Sequence, residues 1–203
     1  MLKRLFDLLV CIAASPVLIP VFAIIALLIK IDSRGAVFYR GIRTGRFGRP
    51  FRIFKFRTMI PEAERAGGGT TALRDPRITR VGGVLRKYKL DELPQILNVI
   101  KGEMSLVGPR PELPEYTREY RGDEELILSV RPGITDHSSI LFSSLDEHVG
   151  EVDADAVFEK DILPEKNRLR IKYVREQSFR TDLAIIARTF HVVLSKMIGK
   201  GAR

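Results

Sequence analysis

Asp91 and Glu92 stand side by side in the stretch Leu90, Asp91, Glu92, Leu93, Pro94, Gln95. Adjacent carboxylates can supply a nucleophile with a charge partner, or can hold a divalent cation against a phosphate. Facing a phosphate alone they would repel it, so cations must intervene. The sequence supplies them. Lys55 and Arg57 fall in Lys55–Met59, and Arg86, Lys87 and Lys89 lie just upstream of the pair. Arg110 sits between Pro109 and Pro111, on a backbone that two prolines stiffen. These residue types point to chemistry on a phosphate. A plainer reading stays open for Asp91, which precedes an expected helix with Pro94 in its first turn and could simply cap it. That same helix start favours an ionised carboxylate and attracts phosphate.

The elements that must carry these residues form an α+β domain, helix-rich with few short strands. Residues 36–40 and 51–56 are expected as strands, with Gly48, Arg49 and Pro50 marking the turn before the second. Gly67, Gly68 and Gly69 make a flexible loop, but no Gly-Lys-Ser/Thr follows them, so they are not a phosphate-binding loop. Helices are expected over 78–87 and 93–100, the latter with Leu93, Ile96, Leu97 and Ile100 on one face. A charged helix is expected over 112–130, ended by Arg131, Pro132 and Gly133. Residues 136–155 are polar and acidic, and helices follow at 156–160 and 166–177. A last amphipathic helix begins near Asp182, with Leu183, Ile186, Phe190 and Leu194 on one side, suited to a membrane interface or to core packing.

Residues 8–29 contain no charged side chain, and as a helix would reach about 33 Å, roughly one hydrocarbon thickness. No small-residue cleavage site follows, so the segment is expected to be retained. Ser15-Pro16 falls near its middle and Pro20 follows, so a break is expected there, with the Ser15 hydroxyl available to a freed carbonyl. Lys3 and Arg4 precede the run, and Lys30, Arg34, Arg40, Arg43 and Arg46 follow it. Basic residues favour the cytoplasmic side. A helix-break-helix that enters and leaves one leaflet keeps both basic flanks there, and this is favoured over a proline-kinked span. The expected division is therefore a re-entrant hairpin at 1–33 and a membrane-apposed catalytic domain at 34–203.

The chain has 203 residues with 34 basic and 25 acidic side chains, a net charge of +9. That length supports one domain with a substantial core, and the charge favours an anionic partner. The single cysteine, Cys11, excludes an intrachain disulfide and argues against a cysteine zinc site, in keeping with a reducing, cytosol-facing location. The basic residues are dispersed and carry no familiar nucleic-acid motif, so no nucleic-acid partner is expected. A non-catalytic membrane-surface module, holding acidic lipids by charge and an apolar anchor, remains a rival.

Three stretches decide the matter: KFRTM at 55–59, LDELPQILNVIKGEMSLVGPRP at 90–111 and RPGIT at 131–135. With the Ser-Pro element they make the chain resemble the small, catalytic-domain-only monotopic phosphoglycosyl transferases of the bacterial sugar transferase family. The resemblance implies transfer of a sugar 1-phosphate from a UDP-sugar to polyprenyl phosphate, with release of UMP. It implies a nucleophilic Asp91, Mg²⁺ at Asp91 and Glu92, and substrate contacts from Lys55, Arg57, Arg86, Pro109, Arg110, Thr135 and Tyr173. It implies a re-entrant helix broken at Ser15-Pro16, contact with membrane lipids, and a place on the cytosolic face of the bacterial inner membrane. A homodimer is left open. Two departures leave the sugar undetermined. Asp136, His137, Ser138 and Ser139 follow Gly133-Ile134-Thr135 where many members have Gly and an Ala-Gln stretch, and Arg170 stands where many have an acid.

Overall fold

The computed structural model describes residues 2–61, 63, 75–143 and 154–197. The glycine run at 67–69 lies outside them. The chain opens with a single helix, α1 (Leu2–Asp32), of 31 residues and mean hydropathy 2.7 over its most apolar window. Here the expectation of a helix-break-helix is corrected: α1 runs on through Ser15, Pro16 and Pro20. Proline removes one backbone donor each time, but the turns on either side keep theirs, and apolar packing holds the helix along one side. The Ser15 hydroxyl donates to the Cys11 carbonyl at 2.8 Å.

That packing follows a stripe. Cys11, Ala14, Leu18 and Phe22 join Phe51, Ile53, Ile96, Val99 and Met104 in one cluster. Ile25 and Ile29 join Phe56 and Leu85 in a second, with Leu90 packed against it. The opposite side, including Leu9, Ile12, Val17, Ile19, Ile24 and Leu27, is exposed. At one end Arg4 donates to the carbonyls of Val99 and Ile100. Asp7, buried, accepts from Ser105 Oγ at 2.8 Å. At the other end Asp32 accepts from Val81 N at 3.0 Å. Both ends of the apolar helix therefore rest on the same domain.

The strands are shorter than expected and number more. β1 (Phe38–Tyr39), β2 (Ile42–Thr44), β3 (Pro50–Arg52) and β4 (Lys55–Phe56) make two antiparallel pairs, β1 with β4 and β2 with β3. The expected strand at 51–56 is thus two pieces. α2 (Arg80–Lys87) is capped by Thr79, whose side chain accepts from Gly82 N, and leads through a 3₁₀ turn at Leu90–Glu92 to α3 (Gln95–Lys101). Lys89 is left-handed at φ 57°, and that turn swings the chain so that Asp91 belongs to the 3₁₀ turn rather than capping α3, whose N-cap is Pro94.

β5 (Ser105–Val107) pairs in parallel with β6 (Gly133–Thr135). Gly108 and Gly133 meet so closely that a Cβ on Gly133 would lie 2.0 Å from Gly108 N. The expected long helix over 112–130 is instead α4 (Pro114–Arg118) and a 3₁₀ segment (Gly122–Ser129), parted at Gly122 with φ 57°. Irregular apolar spacing gave that stretch no continuous face to bury. α5 (His137–Leu141) follows, capped by Asp136. α6 (Ala154–Val157) continues through a π turn (Phe158–Ile162) into α7 (Leu163–Glu176), and α8 (Phe179–Met197) is the last element among the described residues. α8 starts three residues before Asp182, with Ser178 Oγ accepting from Thr181 N.

Candidate active site

The 3₁₀ turn places Asp91 and Glu92 on the wall of a cleft of about 1310 Å³. Lys55, Arg57, Thr58, Arg86, Lys89 and Arg110 line it too. β4 brings Lys55, and α2 brings Arg86, whose Nη1 reaches Thr58 Oγ1 at 3.5 Å. α2 can start against this segment because Gly82 has no side chain: a Cβ there would stand 2.0 Å from the Thr58 carbonyl oxygen. Asn98, fully buried, binds the strand segment to α3 by accepting from Phe54 N at 2.8 Å and donating to the Arg52 carbonyl at 2.9 Å.

The two carboxylates have unlike surroundings. Glu92 accepts from Lys55 Nζ at 3.1 Å, from Arg110 Nη1 at 2.8 Å and from Arg110 Nη2. Burial would raise its pKa, but Arg110 and Lys55 outweigh burial and hold it well below the ordinary carboxylate range. Asp91 is 8% exposed, and its Oδ1 is buried with no hydrogen-bond partner. Burial, then the charge of Glu92, push its pKa up against Lys55, Lys89 and Arg86. Burial lowers Lys55, with Glu92 opposing. Arg110 is firmly cationic, since Glu92 more than offsets its burial. The pair thus divides into an ionised Glu92 held in ion pairs with Lys55 and Arg110 and a less encumbered Asp91 that opens on a cationic cleft.

Among the described residues no group of three or more His, Cys, Asp and Glu side chains forms a metal cage. Mg²⁺ commonly takes one or two carboxylates and completes its shell with water and substrate phosphate. The unpaired Oδ1 of Asp91 suits that pattern, whereas both oxygens of Glu92 are already engaged.

The other expected site residues are engaged in packing or in backbone contacts. Arg57 reaches the cleft wall but spends its guanidinium on the carbonyls of Ser33 and Arg34 and on Ser33 Oγ, closing the C-terminal end of α1. Pro109 sits behind Arg110, its carbonyl accepting from Gly133 N at 3.0 Å. Thr135 is bonded to Thr189 at 2.8 Å, and Tyr173 is fully buried and donates to Asp182 at 2.7 Å. Neither lines the cleft.

The sequence reading passed over Glu112 and Lys166, which the cleft wall includes. Glu112 Oε1 accepts from Lys166 Nζ at 3.0 Å and from Arg170 Nη2 at 2.5 Å. Burial would raise Glu112, but Lys166 and Arg170 hold it below the ordinary range, while burial brings Lys166 down to about 8 against the pull of Glu112. The Arg170 guanidinium is fully buried, also donates to Asn167 Oδ1 at 2.9 Å, and anchors the residue that follows Pro111. Position directly after Pro-Arg-Pro was the one available signal for Glu112.

An apolar helix laid along a domain whose cleft joins a carboxylate pair to several cations defines a membrane-seated protein fitted for anionic ligands. The chain belongs to the bacterial sugar transferase family, which it matches over residues 1–196. It is 35% identical, over 209 aligned positions, to the UDP-N-acetylgalactosamine-undecaprenyl-phosphate N-acetylgalactosaminephosphotransferase of Aeromonas hydrophila, covering 100% of this chain and 45% of that one. It is 35% identical over 206 positions to the UDP-glucose:undecaprenyl-phosphate glucose-1-phosphate transferase of Escherichia coli (strain K12), covering 100% of this chain and 41% of that one. Against the uncharacterized sugar transferase EpsL of Bacillus subtilis (strain 168) the identity is 38% over 198 positions, covering 95% and 87%. The chain thus spans less than half the length of the first two. The family and the apolar helix place it in monotopic association with the inner membrane.

Proposed function

We propose that this chain transfers a sugar 1-phosphate from a UDP-sugar to undecaprenyl phosphate and so begins a lipid-linked glycan. The observation that carries the reading is Asp91, a buried carboxylate with an unpaired oxygen on a cleft lined by Lys55, Arg86, Lys89 and Arg110. Its neighbour Leu90 packs on the cluster of Ile25 and Ile29 in the apolar helix, so a lipid-borne phosphate can approach from the membrane.

In the first step an Asp91 oxygen attacks the phosphorus that bears the sugar. The bond from that phosphorus to the bridging oxygen breaks, and UMP leaves with the oxygen. In the second a phosphate oxygen of the lipid attacks the same phosphorus, the Asp91–phosphorus bond breaks, and the carboxylate is restored. Arg110 is held at the pair by Glu92, and Lys55, Arg86 and Lys89 offset the charge of two anionic substrates taken in turn. Mg²⁺ belongs to this reading: Asp91, through its unpaired Oδ1, would hold it, Glu92 would join only at the cost of an existing ion pair, and the ion would neutralise diphosphate charge. In the bilayer the exposed side of α1, with Leu9, Ile12, Val17, Ile19, Ile24 and Leu27, would lie in one leaflet, with Phe190 and Leu194 of α8 also on lipid.

The test is UMP release from a panel of UDP-sugars by the detergent-purified protein with Mg²⁺ and undecaprenyl phosphate. Wild type should release UMP and carry a sugar phosphate adduct on Asp91 when the lipid is withheld; Asp91→Asn should do neither. Turnover by Asp91→Asn equal to wild type would remove the nucleophile. Absence of UMP with every UDP-sugar would favour the non-catalytic membrane module.

A further inference from the structure

In Pro109-Arg110-Pro111 neither proline has an N–H, so the Arg110 amide is the one backbone donor of the tripeptide. It donates to Asp136 Oδ2 at 3.2 Å. Asp136 is fully buried. Its Oδ1 accepts from Ser139 N and Ser139 Oγ, both at 2.7 Å, and Ser138 Oγ lies 2.8 and 2.9 Å from the two oxygens. One oxygen therefore caps α5 while the other holds the backbone of the arginine whose guanidinium grips Glu92. A buried carboxylate needs donors and nearby cations. The donors are those four groups, and the charges of Arg110 and Arg170 both act on it.

We propose that Asp136 is a positioning residue for the transfer reaction: its Oδ2 fixes the Arg110 backbone so that the guanidinium meets Glu92 beside Asp91. This rests on the function proposed above. The bland alternative is that Asp136 only caps a five-residue helix. The two roles use different oxygens, and this separates them. Asparagine caps helices as well as aspartate does. With its one oxygen turned to Ser139 N, however, it turns an NH₂ group toward the Arg110 N–H, donor against donor. Serine caps as well and is too short to span both partners.

The experiment compares Asp136→Asn and Asp136→Ser with wild type, full chain in detergent. It reads kcat and KM for UMP release, the melting temperature, and amide exchange at Arg110 followed by ¹⁵N-arginine labelling. Positioning predicts kcat lower by about 10²-fold, a KM for the UDP-sugar little changed, a melting temperature within a few degrees, and faster exchange at Arg110. Wild-type kcat and wild-type protection of the Arg110 amide in Asp136→Asn would overturn it, as would a loss of activity matched by unfolding in both variants. If wild type itself releases no UMP, the transfer reading falls. In that case unchanged Arg110 exchange in both variants overturns the anchoring as well, and accelerated exchange sustains it.

Discussion

Two adjacent carboxylates in a buried site cannot share solvation equally, and here the cations are divided unevenly between them. Glu92 takes both Lys55 and Arg110 and stays ionised well below the ordinary range; Asp91 is pushed upward by burial and by Glu92. The attacking form of Asp91 is the ionised one. As pH falls through its raised pKa the free enzyme gains a proton there and loses its nucleophile, so kcat/KM should fall on an acid limb above the usual aspartate value of about 4. Lys55, lowered by burial, must stay charged to hold Glu92, so an alkaline limb should appear below the usual lysine value of about 10.4. The profile of kcat/KM against pH checks both limbs, and an acid limb at the ordinary aspartate value would contradict the environment described for Asp91. These two carboxylates and Arg110 were legible because the chemistry crowds rare residue combinations into short stretches. Glu112 with Lys166 and Arg170 was not, since the partners are 54 and 58 positions apart and only the fold brings them together.

Secondary structure was legible where periodicity had room to show. α2 and α3 fall within one or two residues of their expected bounds, but strands of two or three residues carry no alternation to read. α1 was misjudged because proline chemistry is local, whereas the packing stripe from Cys11 to Ile29 is a tertiary property. The same contrast between local preference and close packing can be tested in α2, where Gly82 and Gly83 are neighbours with opposite surroundings. An alanine Cβ at Gly82 would press on the Thr58 carbonyl, at 2.0 Å, and α2 or the strand segment would have to move, taking Arg86 with it. At Gly83 the nearest atom, on Ile78, is 4.0 Å away. Gly82→Ala should therefore destabilise by about 3 kcal/mol and lower the melting temperature by roughly 10 °C. Gly83→Ala should stabilise by about 0.5–1 kcal/mol, since alanine surrenders less backbone entropy than glycine in a helix. Thermal melts of the two variants settle it, and equal behaviour would mean that the approach of α2 to Thr58 is not tight.

At the scale of the molecule the question is how a 31-residue apolar helix, about 46 Å long, can be seated without crossing the bilayer. Length alone would permit a span. Its contacts do not. Lys3 is paired with Asp182 at 2.5 Å and Phe6 packs edge-on against Phe179, so one end is fixed to α8. At the far end Asp32 is bonded to Val81 N, and Arg57 holds the carbonyls of Ser33 and Arg34. A spanning helix would carry one of these ends about 30 Å from the domain, across hydrocarbon, and would strip Cys11, Ile25 and Ile29 from the core they share with it. Cysteines placed at exposed Leu2 and Arg34, in a Cys11→Ala chain, should therefore both react with a membrane-impermeant maleimide in inside-out vesicles. Neither should react in intact spheroplasts. Labelling of the two positions from opposite sides would mean that the helix leaves the domain and spans, and the site would then lose the apolar wall behind Leu90 that brings Asp91 to the membrane.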